Sequence, residues 1–459
     1  MQFWTRRSVI ASGLAAAGCA AFDRPRLGVM YGSISRPDDQ PPLILIPGAF
    51  GSSLRKRSSG REIWPVSDYK LLFSDYRELG LPIDPATLEP DARNAEAYAV
   101  FREGLGRDFY GDLIDTLQRV GGYERRWPGV PPRNGDGCAL YHYVYDFRLD
   151  GVQAARGLAE LIARIRADFG DPQLKVDVVA HSGGGMIARY FVRHGTRDLP
   201  ATGALEPTYE GAAAIRRLLL VGTPNLGTLQ PVLSILRGEE IGLRRIPPEV
   251  VATCTGITEM MPHPAVPWLI DLQGASVDAD LYDIATWRDF GWSVFDPVIA
   301  QRTIANHGGG AEGRRYLAVL REYLDRNLHR GRTFADSFAT QPDPRDVPTW
   351  VFGGDCAPTL ARLVVEGVGG RHFARERVAD IAAPAARDYQ QLMHEPGDTV
   401  VTRSSLLGRR TLDIAAPRAA EESLRIAHTV FLCEEHQRLT GNASFQDNLL
   451  NALFSVDAG

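Results

Sequence analysis

Lys175–Arg189, KVDVVAHSGGGMIAR, constrains the fold of this chain more than any other stretch. Val176, Val178 and Val179 read as a short buried strand, and Met186, Ile187, Tyr190 and Phe191 fall at helical spacing. Between them stands Ala180-His181-Ser182-Gly183-Gly184, a serine on a tight strand-to-helix turn. Such a turn, commonly written G-x-S-x-G, holds the serine in a strained conformation and brings the strand and helix backbones close together. No large side chain then fits two positions before or after the serine, a condition that Ala180 and Gly184 meet. The following helix aims the positive end of its dipole at any anion that develops beside Ser182. A Gly-rich turn in an unrelated α/β protein can carry the same five residues, so the rest of the chain has to decide.

Upstream, Pro41–Ser52 (PPLILIPGAFGS) is a buried strand that runs into a Gly-containing loop. A serine hydrolase takes one oxyanion donor from a backbone N–H just beyond such a strand and the other from the residue after the nucleophile. Ala49 and Gly183 are the candidates. Ile63-Trp64-Pro65 and Leu71–Leu81 carry apolar and aromatic residues through a polar neighbourhood. They fit ordinary core, or an excursion that sets Trp64 at a lipid interface. Phe109–Val120 has amphipathic helical spacing and closes at Gly121-Gly122. Tyr141–Tyr145 is strand-like and leads through Asp146-Phe147-Arg148 to a helix over about Val152–Phe169; Asp146 and Arg148 pair with each other at that loop more readily than they serve in catalysis. Strand, helix, nucleophile strand and nucleophile helix in that order predict a parallel α/β sheet.

Leu218–Val221 is another buried strand, after which residues 229–300 break the rhythm with Pro, Met and Trp, among them Met260, Trp268, Trp287 and Trp292. Composition fits either a cap with an acyl-binding surface or a plain subdomain core. Thr349–Gly353 and Thr429–Leu432 are the last strand candidates. The expected fold class is α/β, specifically an α/β-hydrolase fold with cap or lid insertions. In that fold the nucleophile is followed by an acid after a late strand and a histidine after the last one. Of ten histidines, His436 has this address, between the last strand and a closing helix around Phe445–Phe454. His428 begins the strand and points away, and His181 packs under the turn. Asp398, in Gly397-Asp398-Thr399, is the expected acid, with Asp355 its rival.

Thr5-Arg6-Arg7 followed by the apolar Val9–Gly18 reads as an export signal over residues 1–19, and Ala16-Ala17-Gly18-Cys19 resembles a lipobox. Lipidation at Cys19 would make this a periplasmic or membrane-anchored lipoprotein; an ordinary cleaved signal would discard Cys19. Residues 40–459 read as one elaborated domain of ordinary composition, 44% apolar and 23% charged. A net charge of −5 gives no case for nucleic acid. No internal apolar run reaches the ~20 residues of a membrane span. Cys138, Cys254, Cys356 and Cys433 remain after the signal, so up to two disulfides are possible in an oxidising compartment, with three connectivities open.

Taken together these residues resemble the lecithin:cholesterol acyltransferase family, which includes lysosomal phospholipase A2-type enzymes. The resemblance rests on LILIPGAFGSSL (43–54), IWPVSDYKLLF (63–73), YDFR (145–148), AHSGGGMIARYF (180–191) and the strand and cap from Leu218. It extends to LYDIATWRDFGW (281–292), GDTVV (397–401) and EHQRL before the terminal helix. It implies Ser182, Asp398 and His436 as triad, Ala49 and Gly183 as oxyanion donors, a membrane-binding excursion near 55–100 bearing Trp64, and a cap near 225–300. It also implies transfer of an acyl group from a phospholipid or other lipid ester to Ser182, then to water or an alcohol, with no metal or organic cofactor. Gly183 stands where the family usually has Met, which implies a more open oxyanion side. A simple carboxylesterase or triacylglycerol lipase is the alternative enzyme, and a silent lipid-binding lipoprotein the alternative of another class.

Overall fold

The computed structural model describes residues 25–32, 40–65, 73–104, 106–133, 135–338, 342–410 and 423–455. The export segment with Cys19, and residues 66–72 of the apolar excursion, lie outside them. Seven strands form one parallel sheet: β1 (Leu43–Ile46), β2 (Tyr123–Arg125), β3 (Cys138–His142), β4 (Val176–His181), β5 (Ile215–Val221), β6 (Thr349–Gly354) and β7 (Ile426–Leu432). Their spatial order is β7-β6-β5-β4-β1-β3-β2. The strands are apolar on both sides because both faces are covered, as parallel sheets require. Alternation then decides which helix each residue meets. Ile44, Ile46, Val178 and Ala180 face α2 (Gly151–Phe169) and α3 (Gly183–His194). Leu43, Leu45 and Val179 face α1 (Gly111–Arg119) and α5 (Ala443–Phe454). This is the α/β-hydrolase fold that the strand–helix order predicts.

The described residues between β5 and β6 form the large insertion, which ends in α4, a 27-residue helix over Gly310–Asp336. Trp268, Trp287 and Trp292 pack with Leu320, Leu324 and Leu328 into a core that also takes in Leu54, Trp64, Tyr76 and Phe147. The Trp-rich stretch is thus buried core. A second excursion between β6 and β7 contains an antiparallel pair, Ala357–Leu360 with His394–Gly397, that carries Asp398 at its end. Chain order reverses between β1 and β4. In open α/β sheets, such a switch point opens a crevice at the carboxyl ends of the strands. The loop after β1 and the turn after β4 both lie there.

Candidate active site

Ser182 follows β4 with φ 52° and ψ −128°, a conformation that a side-chain-bearing residue adopts only under constraint. The constraint is local. A Cβ on Gly184 would stand 2.4 Å from the Pro47 carbonyl oxygen, so glycine at that position lets α3 begin directly against the β1 loop. Ser182 N–H donates to the Val221 carbonyl at 2.8 Å, which fixes the turn to β5.

His436 Nε2 lies 3.0 Å from Ser182 Oγ, and its Nδ1 lies 2.8 Å from Asp398 Oδ2. The two residues are also joined through the backbone, His436 N–H donating to the Asp398 carbonyl at 2.7 Å. Asp398 is fully buried, and its Oδ1 accepts from the N–H groups of Val400 and Val401 at 3.1 and 2.7 Å. A carboxylate held this way has one oxygen committed to the turn and the other free to fix the imidazole tautomer. The structure brings Ser182, Asp398 and His436 together. Asp355 lies elsewhere, 3.4 Å from Arg403. His428 is exposed and lies against Trp350. Asp146 and Arg148 pair at 2.6 Å, as their spacing suggested.

Ala49 and Gly183 face each other across the nucleophile: a Cβ on Gly183 would come 3.6 Å from the Ala49 nitrogen. The open oxyanion side implied by Gly183 is not open. Met260, from the insertion, fills it, its sulfur 2.7 Å from where a Gly183 Cβ would stand. The bulk absent at the elbow is supplied from 77 residues downstream in the chain, which no local motif displays.

Trp64 is buried, at 3% exposure, which fits the core alternative for its segment and not the lipid-facing position that the family resemblance implies. Its indole N–H donates to the Phe50 carbonyl at 2.7 Å, and its ring packs against Phe50, Tyr76 and Phe147. Buried indoles need a partner for that N–H. Here the partner is the residue after Ala49, so Trp64 braces the loop that follows β1.

Two further supports carry no sequence signal. Tyr110 Oη accepts from the Gly48 N–H at 2.8 Å and lies 2.7 Å from His181 Nδ1. Burial, followed by the neighbouring His436, pushes the His181 imidazole down to about 3, so it is neutral and its Nδ1 accepts the Tyr110 proton. The expected packing of His181 under the turn is thus a hydrogen-bonded brace. The disulfide is Cys356–Cys433, which resolves the open connectivities for these two cysteines. It ties the start of the strand pair that carries Asp398 to the loop three residues before His436. Among the described residues no group of three His, Cys, Asp or Glu side chains is placed to hold a metal, and no helix is long and apolar enough to cross a membrane.

A serine on a strained elbow, hydrogen-bonded to a histidine that is oriented by a buried aspartate, within this sheet, is the arrangement of the α/β-hydrolase fold. No family model matches the sequence, and no curated protein matches it significantly. Solved structures do. A chain of the Tle4–Tli4 complex superposes with a TM-score of 0.54 at 14% identity, over 91% of this chain and 98% of that one. The lin2722 product of Listeria innocua (TM-score 0.36, 11% identity, 91% and 96% covered) and the mature lipase BlEst2 of Bacillus licheniformis (0.31, 12%, 92% and 95%) are looser matches. At these identities the likeness concerns the fold.

Proposed function

We propose that this chain is a serine-dependent acyl-ester hydrolase or acyltransferase acting on phospholipid or other lipid acyl esters. The hydrogen-bonded line from Ser182 through His436 to Asp398 carries the reading. His436 Nε2 takes the proton as Ser182 Oγ attacks the ester carbonyl carbon, and the N–H groups of Ala49 and Gly183 stabilise the oxyanion. The ester C–O bond breaks, and His436 returns the proton to the departing alkoxide, a lysolipid when the substrate is a phospholipid. Water then attacks the acyl-enzyme and gives its proton to His436. The bond from the acyl carbon to Ser182 Oγ breaks, His436 returns the proton to Oγ and the fatty acid leaves, while an acceptor alcohol in place of water gives a new ester. Asp398 orients the imidazole and stabilises its cation throughout.

The sequence resemblance to the lecithin:cholesterol acyltransferase family supports the lipid substrate class, and the apolar wall that the insertion adds beside Ser182 is consistent with it. Export, with lipidation at Cys19, belongs to the same proposal. A Cys19→Ser variant whose size and membrane partitioning match the wild type would remove the anchor from it. The function itself is tested on vesicles of acyl-labelled phospholipid, with and without a long-chain alcohol, with Ser182→Ala as control. Free fatty acid or a new acyl ester that requires Ser182 is expected. Turnover confined to short soluble esters would favour a simple carboxylesterase, and no product from any ester would favour the lipid-binding alternative.

A further inference from the structure

A small cavity opens beside the nucleophile, bounded by Ala49 and Gly183 on one side and walled by Phe147, Met186, Ile187 and Phe334. Its volume is about 20 Å³, room for a single water-sized group. Tyr145 lines it too, and so does the carboxyl side chain of Glu259. That side chain is 3% exposed. Its Oε2 accepts from the Gly151 N–H at 2.7 Å, at the first residue of α2, whereas its Oε1 has no hydrogen-bond partner. Arg330, the nearby cation, is engaged with Asp150 and Asp198 instead. Burial foremost, and then the Asp150 carboxylate, hold the Glu259 carboxyl well above the usual carboxylate range.

Capping Gly151 needs one oxygen. The second, buried at a cost of several kcal/mol unless a partner arrives, points to a ligand. The cavity adjoins both proposed oxyanion donors, so it is next to the carbonyl carbon of any ester bound there. Met260, whose sulfur lies against Gly183, stands at that same end; it is an unbranched side chain that can shift without disturbing the backbone.

Building on the acyl-ester reading above, we infer that this cavity receives a single hydroxyl carried by the substrate's acyl chain close to the carbonyl and that Glu259 sets specificity by hydrogen-bonding it. A site built to bond a hydroxyl discriminates strongly against the analogue that lacks it, because the buried acid is then left unpaired.

The test compares vesicles of phospholipid bearing plain C8 acyl chains with vesicles bearing the 3-, 4- or 5-hydroxy C8 chains, following acid release by the full-length protein. Wild type is expected to prefer at least one hydroxy ester over its plain partner by roughly ten- to a hundredfold in kcat/KM. Glu259→Gln, which keeps a donor and an acceptor, should retain most of that preference, and Glu259→Leu should lose or invert it. Should Glu259→Leu fail to fold for want of the Gly151 cap, the wild-type and Glu259→Gln ratios still decide. A purely structural Glu259 would lower stability and leave the ratio unmoved; equal rates on every plain and hydroxy pair in the wild type would overturn the inference. Labelling of Ser182 by a fluorophosphonate keeps the two claims apart: labelling with no hydroxyl preference removes the subsite alone, and no labelling removes the acyl-enzyme reading beneath it.

Discussion

Asp398 has both oxygens engaged, one by the Val400 and Val401 N–H groups and one by His436 Nδ1. An amide in its place must turn an NH₂ group towards one of these donors. Asp398→Asn should therefore lower kcat by about 10⁴ while the fold persists, and Asp355→Asn should leave it near normal. The reverse pattern would move the acid to Asp355. Trp64 offers a second test at this scale. Trp64→Phe removes the hydrogen bond to the Phe50 carbonyl and keeps most of the ring packing. A loss of about 1–3 kcal/mol of stability is expected from the orphaned buried carbonyl, together with a fall in kcat as the loop bearing the proposed oxyanion donor Ala49 loosens. Vesicle partitioning should not change; if it weakens, the indole does meet lipid.

Among elements, the strongest support of the site is covalent. Cys356–Cys433 closes a 77-residue separation and joins the segments that deliver Asp398 and His436. Cys433→Ser should cost roughly 2–5 kcal/mol in unfolding free energy and lower kcat more than it raises KM, because it loosens the base rather than the substrate site. Unchanged kcat at permissive temperature would show that β7 and α5 hold His436 without it. The parts of the site that local order determines were legible in the sequence. The elbow is five consecutive residues between a strand and a helix, and His436 is placed by being after the last strand. Tyr110, Met260 and Glu259 were not legible, because each reaches the site from a distant element through one side chain. For Trp64 the segment alone left core and lipid contact both open, because its packing partners, Phe50 and Phe147, come from other segments. Composition could not separate cap surface from subdomain core in the insertion, since Trp268, Trp287 and Trp292 serve the latter and Met260 faces the site.

Across the described residues, four histidines set an acid limit. Burial foremost holds His142 and His181 at about 3 and His194 and His263 at about 4. The ordinary histidine value is about 6.5, so the unfolded chain takes up protons that the native fold refuses. Stability is therefore full above about pH 6.5 and falls as the pH drops towards 4, by roughly 1.4 kcal/mol per pH unit for each histidine. Glu259, raised by burial, acts in the opposite direction and offsets part of the slope. The thermal midpoint should fall steeply between about pH 6.5 and 4.5, and a flat midpoint over that range would mean that these imidazoles are not buried neutral. At the same scale the sheet order explains why the site lies where it does. The chain turns back between β1 and β4, and that reversal places Ala49 and Ser182 on adjacent loops at one edge of the crevice.

The central claim is that Ser182 is a nucleophile activated by His436. Intact-mass spectrometry after incubation with a fluorophosphonate tests it most directly, comparing wild type, Ser182→Ala and His436→Ala. One adduct on the wild type, mapped to the peptide containing Ser182, absent from Ser182→Ala and strongly slowed in His436→Ala, is the predicted result. A wild type that stays unmodified, or an equal adduct on Ser182→Ala, would contradict the account.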